Sequence, residues 1–171
     1  MKKKNVQIAK AALIAALYAM LTYVSAIMDL AYSGVQFRIS EALTILPLFT
    51  SAAVPGLAVG CVISNMLSTV NPLDMIIGSA ASLLAAFLTR KLRNVTIKGF
   101  PLLSFLSPVV VNAIFVAAEI AMFSGEESRI AVFGMSVLTV GGGELAVIFT
   151  LGLALFCIIR KNHRVSTLIS D

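Results

Sequence analysis

Apolar runs of about twenty residues, recurring along the chain between basic or turn-rich breaks, constrain this sequence more than any other feature. A helix needs ~20 mainly apolar residues to cross ~30 Å of hydrocarbon at 1.5 Å per residue. The first run is Ile8 to Met28, and a second extends from Ala42 to Leu67 with interruptions at Pro47 and Pro55-Gly56. Leu73 to Leu88, Phe100 to Phe123 and Val140 to Ile159 complete the set, the last preceded by an apolar lead-in from Ile130 to Thr139. Apolar residues make up 59% of the 171, charged residues 12%, and the mean hydropathy is +1.00. Soluble domains run nearer ~45–50% apolar and ~25% charged. A soluble enzyme, a disordered tail and a secreted disulfide scaffold are excluded, and the chain reads as an integral membrane protein. The run after the basic N-terminus is too long for a signal peptide and lacks a small-residue cleavage site, so it reads as a retained helix.

Charge placement sets the topology. Read as one kinked helix, Ala42 to Leu67 makes five spans; read as a tight hairpin turning at Ala52–Gly56, it makes six. Basic residues concentrate on the cytoplasmic side of membrane proteins. Six spans place Lys2, Lys3, Lys4, Lys10, Arg90, Lys91, Arg93, Lys98, Arg160, Lys161 and Arg164 inside, 11 of the 13 basic residues, with Arg38 and Arg129 outside. The expectation is one all-α transmembrane domain over 1–171, with both termini cytoplasmic and spans near 8–28, 42–52, 54–69, 72–89, 100–123 and 138–160. The hairpin helices are then short, and their irregular turn must be shielded by protein.

Seven of the eight acids (Asp29, Glu41, Asp74, Glu119, Glu126, Glu127 and Glu144) then lie outside or in the outer half of a span. A charge in hydrocarbon costs at least ~2.5–3.5 kcal/mol, so Glu119 and Glu144 are expected to line a cavity rather than face lipid. Asn112 precedes Glu119 by seven residues, two turns along one helix face, with Phe115 between them. The segment Gln36-Phe37-Arg38-Ile39-Ser40-Glu41 mixes amide, aromatic, cation and acid beside a helix start. Ser40 is expected to cap that helix, with Glu41 favoured by its positive end. Asn71-Pro72-Leu73-Asp74 reads as a second cap with a first-turn proline. Small residues Ala12, Ala15, Ala16 and Ala19 on the first span permit close approach of another helix, in this bundle or in a partner.

The sole histidine, His163, sits in a basic tail, and Cys61 and Cys157 lie in apolar runs, so no metal site or cofactor is expected. No phosphate-binding Gly-x-x-x-x-Gly-Lys loop, nucleophile elbow or zinc-protease motif occurs. No nucleic-acid partner is implied, since the excess of positive charge follows topology.

The octet Gln36-Phe37-Arg38-Ile39-Ser40-Glu41-Ala42-Leu43, followed by Pro47 and Pro55-Gly56-Leu57 behind an alanine-rich first helix, resembles the queuosine-precursor transporter (QueT) family. Its members are substrate-binding S components of energy-coupling factor (ECF) transporters. The resemblance implies capture of a 7-deazaguanine (preQ1, preQ0 or queuine) from outside. It also implies a transmembrane coupling protein and two cytoplasmic ATPases as partners, with Ala12 and Ala16 matching the family's small-residue contact. A guanine-like edge offers adjacent N–H donors to a carboxylate and a carbonyl to Arg, Gln or Asn. Glu41, Glu119 and Glu144 are the candidate acceptors, Gln36, Arg38 and Asn112 the donors, and Phe37 or Phe115 the stacking surface. Asn71 and Asp74 stand behind them. Competing readings are an S component for another vitamin or amine, a small intramembrane enzyme using Glu119 and Glu144 as an acid/base pair, and a self-sufficient channel or carrier.

Overall fold

A computed structural model describes residues 2–31, 37–66, 74–125 and 128–170 of the chain. Helix α1 (Lys2–Ile27) has no glycine or proline to interrupt it, and its 26 residues extend about 39 Å at 1.5 Å each. It ends in a Schellman turn. Asp29 takes the left-handed conformation (φ 57°), its N–H bonds Ala26 O at 3.0 Å, and Leu30 N–H bonds Ser25 O at 2.9 Å.

The chain then returns as a 3₁₀ segment, Ile39–Leu48, in which every residue from Ser40 to Pro47 is buried. Runs of this helix beyond three or four residues are uncommon, and at about 2.0 Å per residue ten span ~20 Å. The expected capping by Ser40 does not occur. Ser40 Oγ pairs instead with Thr22 Oγ1 of α1 at 2.7 Å, and the free N–H of Ile39 donates to Ser25 Oγ at 3.0 Å. The Ser25 hydroxyl on α1 thus takes the place of a local cap, because the segment starts against that helix rather than in water.

The break between the 3₁₀ segment and the next helix lies over residues 49–52, earlier than the expected turn at Ala52–Gly56. Helix α2 (Ala53–Asn65) absorbs Pro55 in its first turn, where a missing N–H has no intrahelical partner to lose. Gly56 and Gly60 bring α2 onto α1: a Cβ at Gly56 would stand 2.8 Å from Ala11 O, and one at Gly60 2.8 Å from Tyr18 Cβ and 2.9 Å from Ala15 O. This is the small-xxx-small device on both helices, Gly56 and Gly60 of α2 meeting Ala11 and Ala15 of α1.

Helices α3 (Asp74–Lys91) and α4 (Leu102–Phe123) follow, joined by a hairpin loop in which Ile97 and Phe100 exchange backbone hydrogen bonds at 2.9 and 3.0 Å. Helix α5 (Arg129–Val147) passes through one π-helical stretch (Ile148–Gly152) into α6 (Leu153–Lys161). The last apolar helix therefore starts at Arg129, not near residue 138. Gly141-Gly142-Gly143 does not break it; Gly141 sits against Ala113 of α4, where an added Cβ would approach to 3.3 Å. A short α7 (His163–Ile169), absent from the sequence reading, is capped by Asn162 Oδ1 and held by Lys10 Nζ on the carbonyls of Ile169 and Ser170 at 3.0 and 2.9 Å.

The described residues are helical, with no strand beyond the Ile97–Phe100 pair. Among the described residues, three helices have the length and apolar composition to cross a membrane: Lys3–Ile27, Leu102–Phe123 and Arg129–Lys161. Their burial differs: 61% of the apolar window of α4 is inside the protein, against 28% for α1. Helix α4 is thus the central post, whereas α1 leaves Leu13, Met20, Tyr23 and Ile27 exposed. An aromatic cluster of Phe49, Phe100, Phe105, Phe149 and Phe156 packs one end of the interior, with centroids 4.8–5.9 Å apart.

Candidate functional site

Five elements send polar side chains into one buried place beside the start of the 3₁₀ segment. Glu41 comes from that segment and Arg38 from the residue just before it, Tyr18 from α1, Ser82 from α3, Asn112 from α4 and Glu144 from α5. All six are buried. Arg38, Glu41, Gly78, Ser82, Asn112, Val116 and Glu144 enclose a cavity of about 10 Å³, room for about one water.

Asn112 is the hub. Its Nδ2 donates to Glu144 Oε1 at 2.7 Å and to Glu41 Oε2 at 3.4 Å, so one amide bridges two carboxylates from different elements. Tyr18 Oη donates to the other oxygen of Glu41. Both oxygens of Glu41 are therefore engaged. Glu144 is held by one oxygen only: its Oε2 is buried with no hydrogen-bond partner among the described residues. Arg38 lines the same cavity, its Nε–H donates to Ala31 O at 3.1 Å, and its charge acts on both carboxylates. A hydroxyl row behind the site steadies it, with Thr22 on Tyr18 O at 3.0 Å and Thr44 on Glu41 O at 2.6 Å.

In their ionised forms two carboxylates face one guanidinium. That is a net negative, nearly dry site, and an unpaired charge there is costly, on the order of several kcal/mol. A ligand carrying N–H donors or a cation is the complement that would relieve it, while Arg38 supplies a donor fork for a carbonyl.

The structure brings together four of the residues singled out from sequence: Arg38, Glu41, Asn112 and Glu144. Glu119 is buried on the same side of α4 but is not among the residues enclosing this cavity. Phe115 is half-buried against Ala81, Ala85 and Val111, and Phe37 is half-buried next to Arg38. Gln36 and Asn71 lie outside the described residues, as does the side chain of Asp74. On α1, Ala12 and Ala16 are exposed and Ala19 is half-buried, whereas Ala15 is buried under Gly60 of α2.

Sequence reasoning missed Tyr18, Ser82 and Gly78. A phenol near the middle of an otherwise apolar helix was the available signal for Tyr18, since a buried tyrosine hydroxyl ordinarily finds a partner. Among the described residues no cluster of His, Cys, Asp and Glu large enough to hold a metal ion occurs.

A family model described as QueT transporter matches residues 8–161. A protein of Lactococcus lactis subsp. cremoris named "Queuosine precursor transporter QueT" is 35% identical over 82 residues, which are 48% of this chain and 48% of the relative. The match thus spans about half the length of that curated relative. No solved structure matches.

Proposed function

The chain belongs to the QueT transporter family, and from that premise we propose that it is the substrate-capturing membrane subunit, or S component, of an ECF importer for a queuosine precursor. The observation that supports this most directly is the buried site in which Asn112 bridges Glu41 and Glu144 beside Arg38. In this reading the chain is a single transmembrane bundle in the cell membrane, crossing six times with both termini cytoplasmic. The 3₁₀ segment and α2 form its two short crossings, shielded by the longer helices. A transmembrane coupling protein and two cytoplasmic ATPases supply the energy, and the exposed Ala12 and Ala16 offer the coupling protein a close approach.

A 7-deazaguanine suits the site's chemistry. Its ring and exocyclic N–H groups donate to a carboxylate, its carbonyl accepts from Arg38 or Asn112, and an aminomethyl substituent at the 7-position brings a cation to the second carboxylate. Small-molecule pockets commonly measure ~300–1,000 Å³, against about 10 Å³ here. Capture therefore requires the site to open, and the start of the 3₁₀ segment, with Arg38 just before it and Glu41 within it, is the element that must give. The same excess of carboxylate suits another small amine, the second reading.

Mass spectrometry of small molecules that copurify with the detergent-extracted protein, followed by calorimetric titration of preQ1, preQ0 and guanine, tests the reading. A 1:1 complex with a 7-deazaguanine and no turnover is expected. Binding of none of the three, or copurification of an unrelated amine, overturns it.

A further inference from the structure

A second cavity lies away from the Asn112 site, beside the aromatic cluster and among the basic ends of α3 and α6. It has a volume of about 390 Å³ and is walled by Arg93 and Arg160, with Asn94 and Thr96 between them and Phe49 and Phe156 on its floor. Both arginines are exposed, while Phe156 is buried, and the Arg160 guanidinium stands 5.9 Å above the Phe156 ring. The arrangement is two cationic forks over an apolar base.

Three features identify the occupant. The rim is doubly positive and offers amide and hydroxyl groups, which is the complement of a phosphate. The loop bearing Arg93, Asn94 and Thr96 also presents Val95 and Ile97 exposed, 45% and 50%, in alternation with its polar residues. The Ile97–Phe100 backbone hydrogen bonds close that loop into a tight turn. Finally, the cavity wall itself is apolar on one side, where Leu48, Phe49, Pro101 and Phe156 line it. Free phosphate would use the arginines alone. A molecule with a phosphate and acyl chains uses all three features.

We propose that this crevice binds the headgroup phosphate of an anionic phospholipid, with its glycerol and acyl chains lying over the Phe49–Phe156 floor. The proposal rests on the membrane-spanning part of the reading above but not on the identity of the transported ligand. Arginine at helix C-termini also complements the helix dipole and helps set topology, so the test must separate a site from diffuse charge.

The protein is reconstituted in nanodiscs of phosphatidylcholine and phosphatidylglycerol at about 3:1, and native mass spectrometry measures which lipid it retains. The parent is expected to retain phosphatidylglycerol in preference to phosphatidylcholine. Arg93→Gln/Arg160→Gln should lower that preference about tenfold or more, the scale of a lost charge-assisted hydrogen bond. Lys98→Gln/Lys161→Gln, an equal loss of charge outside the cavity, should change it by less than about threefold. Equal effects of the two pairs, or retention unaltered by the arginine pair, overturn the site. So does displacement of the lipid by inorganic phosphate at roughly 10 mM, which would identify a free-anion pocket. Should no lipid be retained while the arginines prove necessary for assembly with the coupling protein, the crevice is a protein-docking surface and the proposal fails. Titration of preQ1 in the same discs reads the transport function independently.

Discussion

Glu41 and Glu144 are the same side chain held in two ways, and the difference sets what each can do. With Tyr18 and Asn112 on its oxygens, Glu41 is committed to the protein; Glu144 keeps one buried oxygen available. Glu144→Gln should therefore weaken preQ1 binding by about 10- to 150-fold, since a hydrogen bond to a charged group is worth ~1.5–3 kcal/mol. The neutral nitrile preQ0 should be largely spared. Calorimetry on both ligands checks this, and equal losses for the two would remove the cation from the account. Tyr18→Phe deletes the donor to Glu41 and leaves a buried carboxylate oxygen unmet, a cost of ~1–3 kcal/mol. It should lower the thermal midpoint in detergent, and an unchanged midpoint would show that the phenol contributes nothing to holding Glu41. Asn112 and Glu144 were legible because polar groups in apolar runs demand a reason, and Arg38 and Glu41 because they share a mixed segment beside a helix start. Tyr18 was not, since tyrosine in such a run also serves as packing or as an interfacial anchor.

At the scale of elements, the α1 alanines divide into two populations that a spacing argument merges. Ala15 is pressed under Gly60, while Ala12 and Ala16 face outward. Replacing Ala12 and Ala16 by Leu should leave folding and ligand binding nearly intact and block assembly with the coupling protein. Copurification of the complex alongside calorimetry reads both, and a joint loss would place these residues in the bundle's own packing. Gly60→Leu should act oppositely. A Cβ there meets Tyr18 Cβ at 2.8 Å and backbone at 2.9 Å, so α1 and α2 must separate. Overpacking of this kind costs ~1–3 kcal/mol or more, and because Tyr18 moves with it, stability and ligand binding should fall together. Size-exclusion profiles and thermal midpoints are the measure. The Ser25 contact to the 3₁₀ segment belongs to this scale too: local rules pointed to Ser40 as a cap, but the neighbouring helix supplied the capping hydroxyl.

For the whole molecule, the distribution of basic residues predicts that the α3–α4 loop and the α4–α5 loop lie on opposite sides of the membrane. In a Cys61→Ser/Cys157→Ser background, Ser128→Cys should react with an impermeant thiol reagent from outside and Asn94→Cys only after permeabilisation. External labelling of position 94 would invert or abolish the six-span arrangement. The sequence by itself determined the class: apolar runs long enough for hydrocarbon, a one-sided charge bias, helix as the backbone's answer to a solvent without hydrogen bonds, and the few polar residues that could not face lipid. These follow from composition and period, which need no knowledge of neighbours. Tertiary structure alone decided that the second apolar run begins as a buried 3₁₀ segment and that the glycine triplet continues one helix from Arg129 to Lys161. It alone decided that Asn112 meets Glu41 and Glu144 rather than Glu119. Spacing along a helix fixes which side chains share a face, but which face meets which depends on the rotation and depth of separate helices, and those are set by the close contacts at Gly56, Gly60 and Gly141.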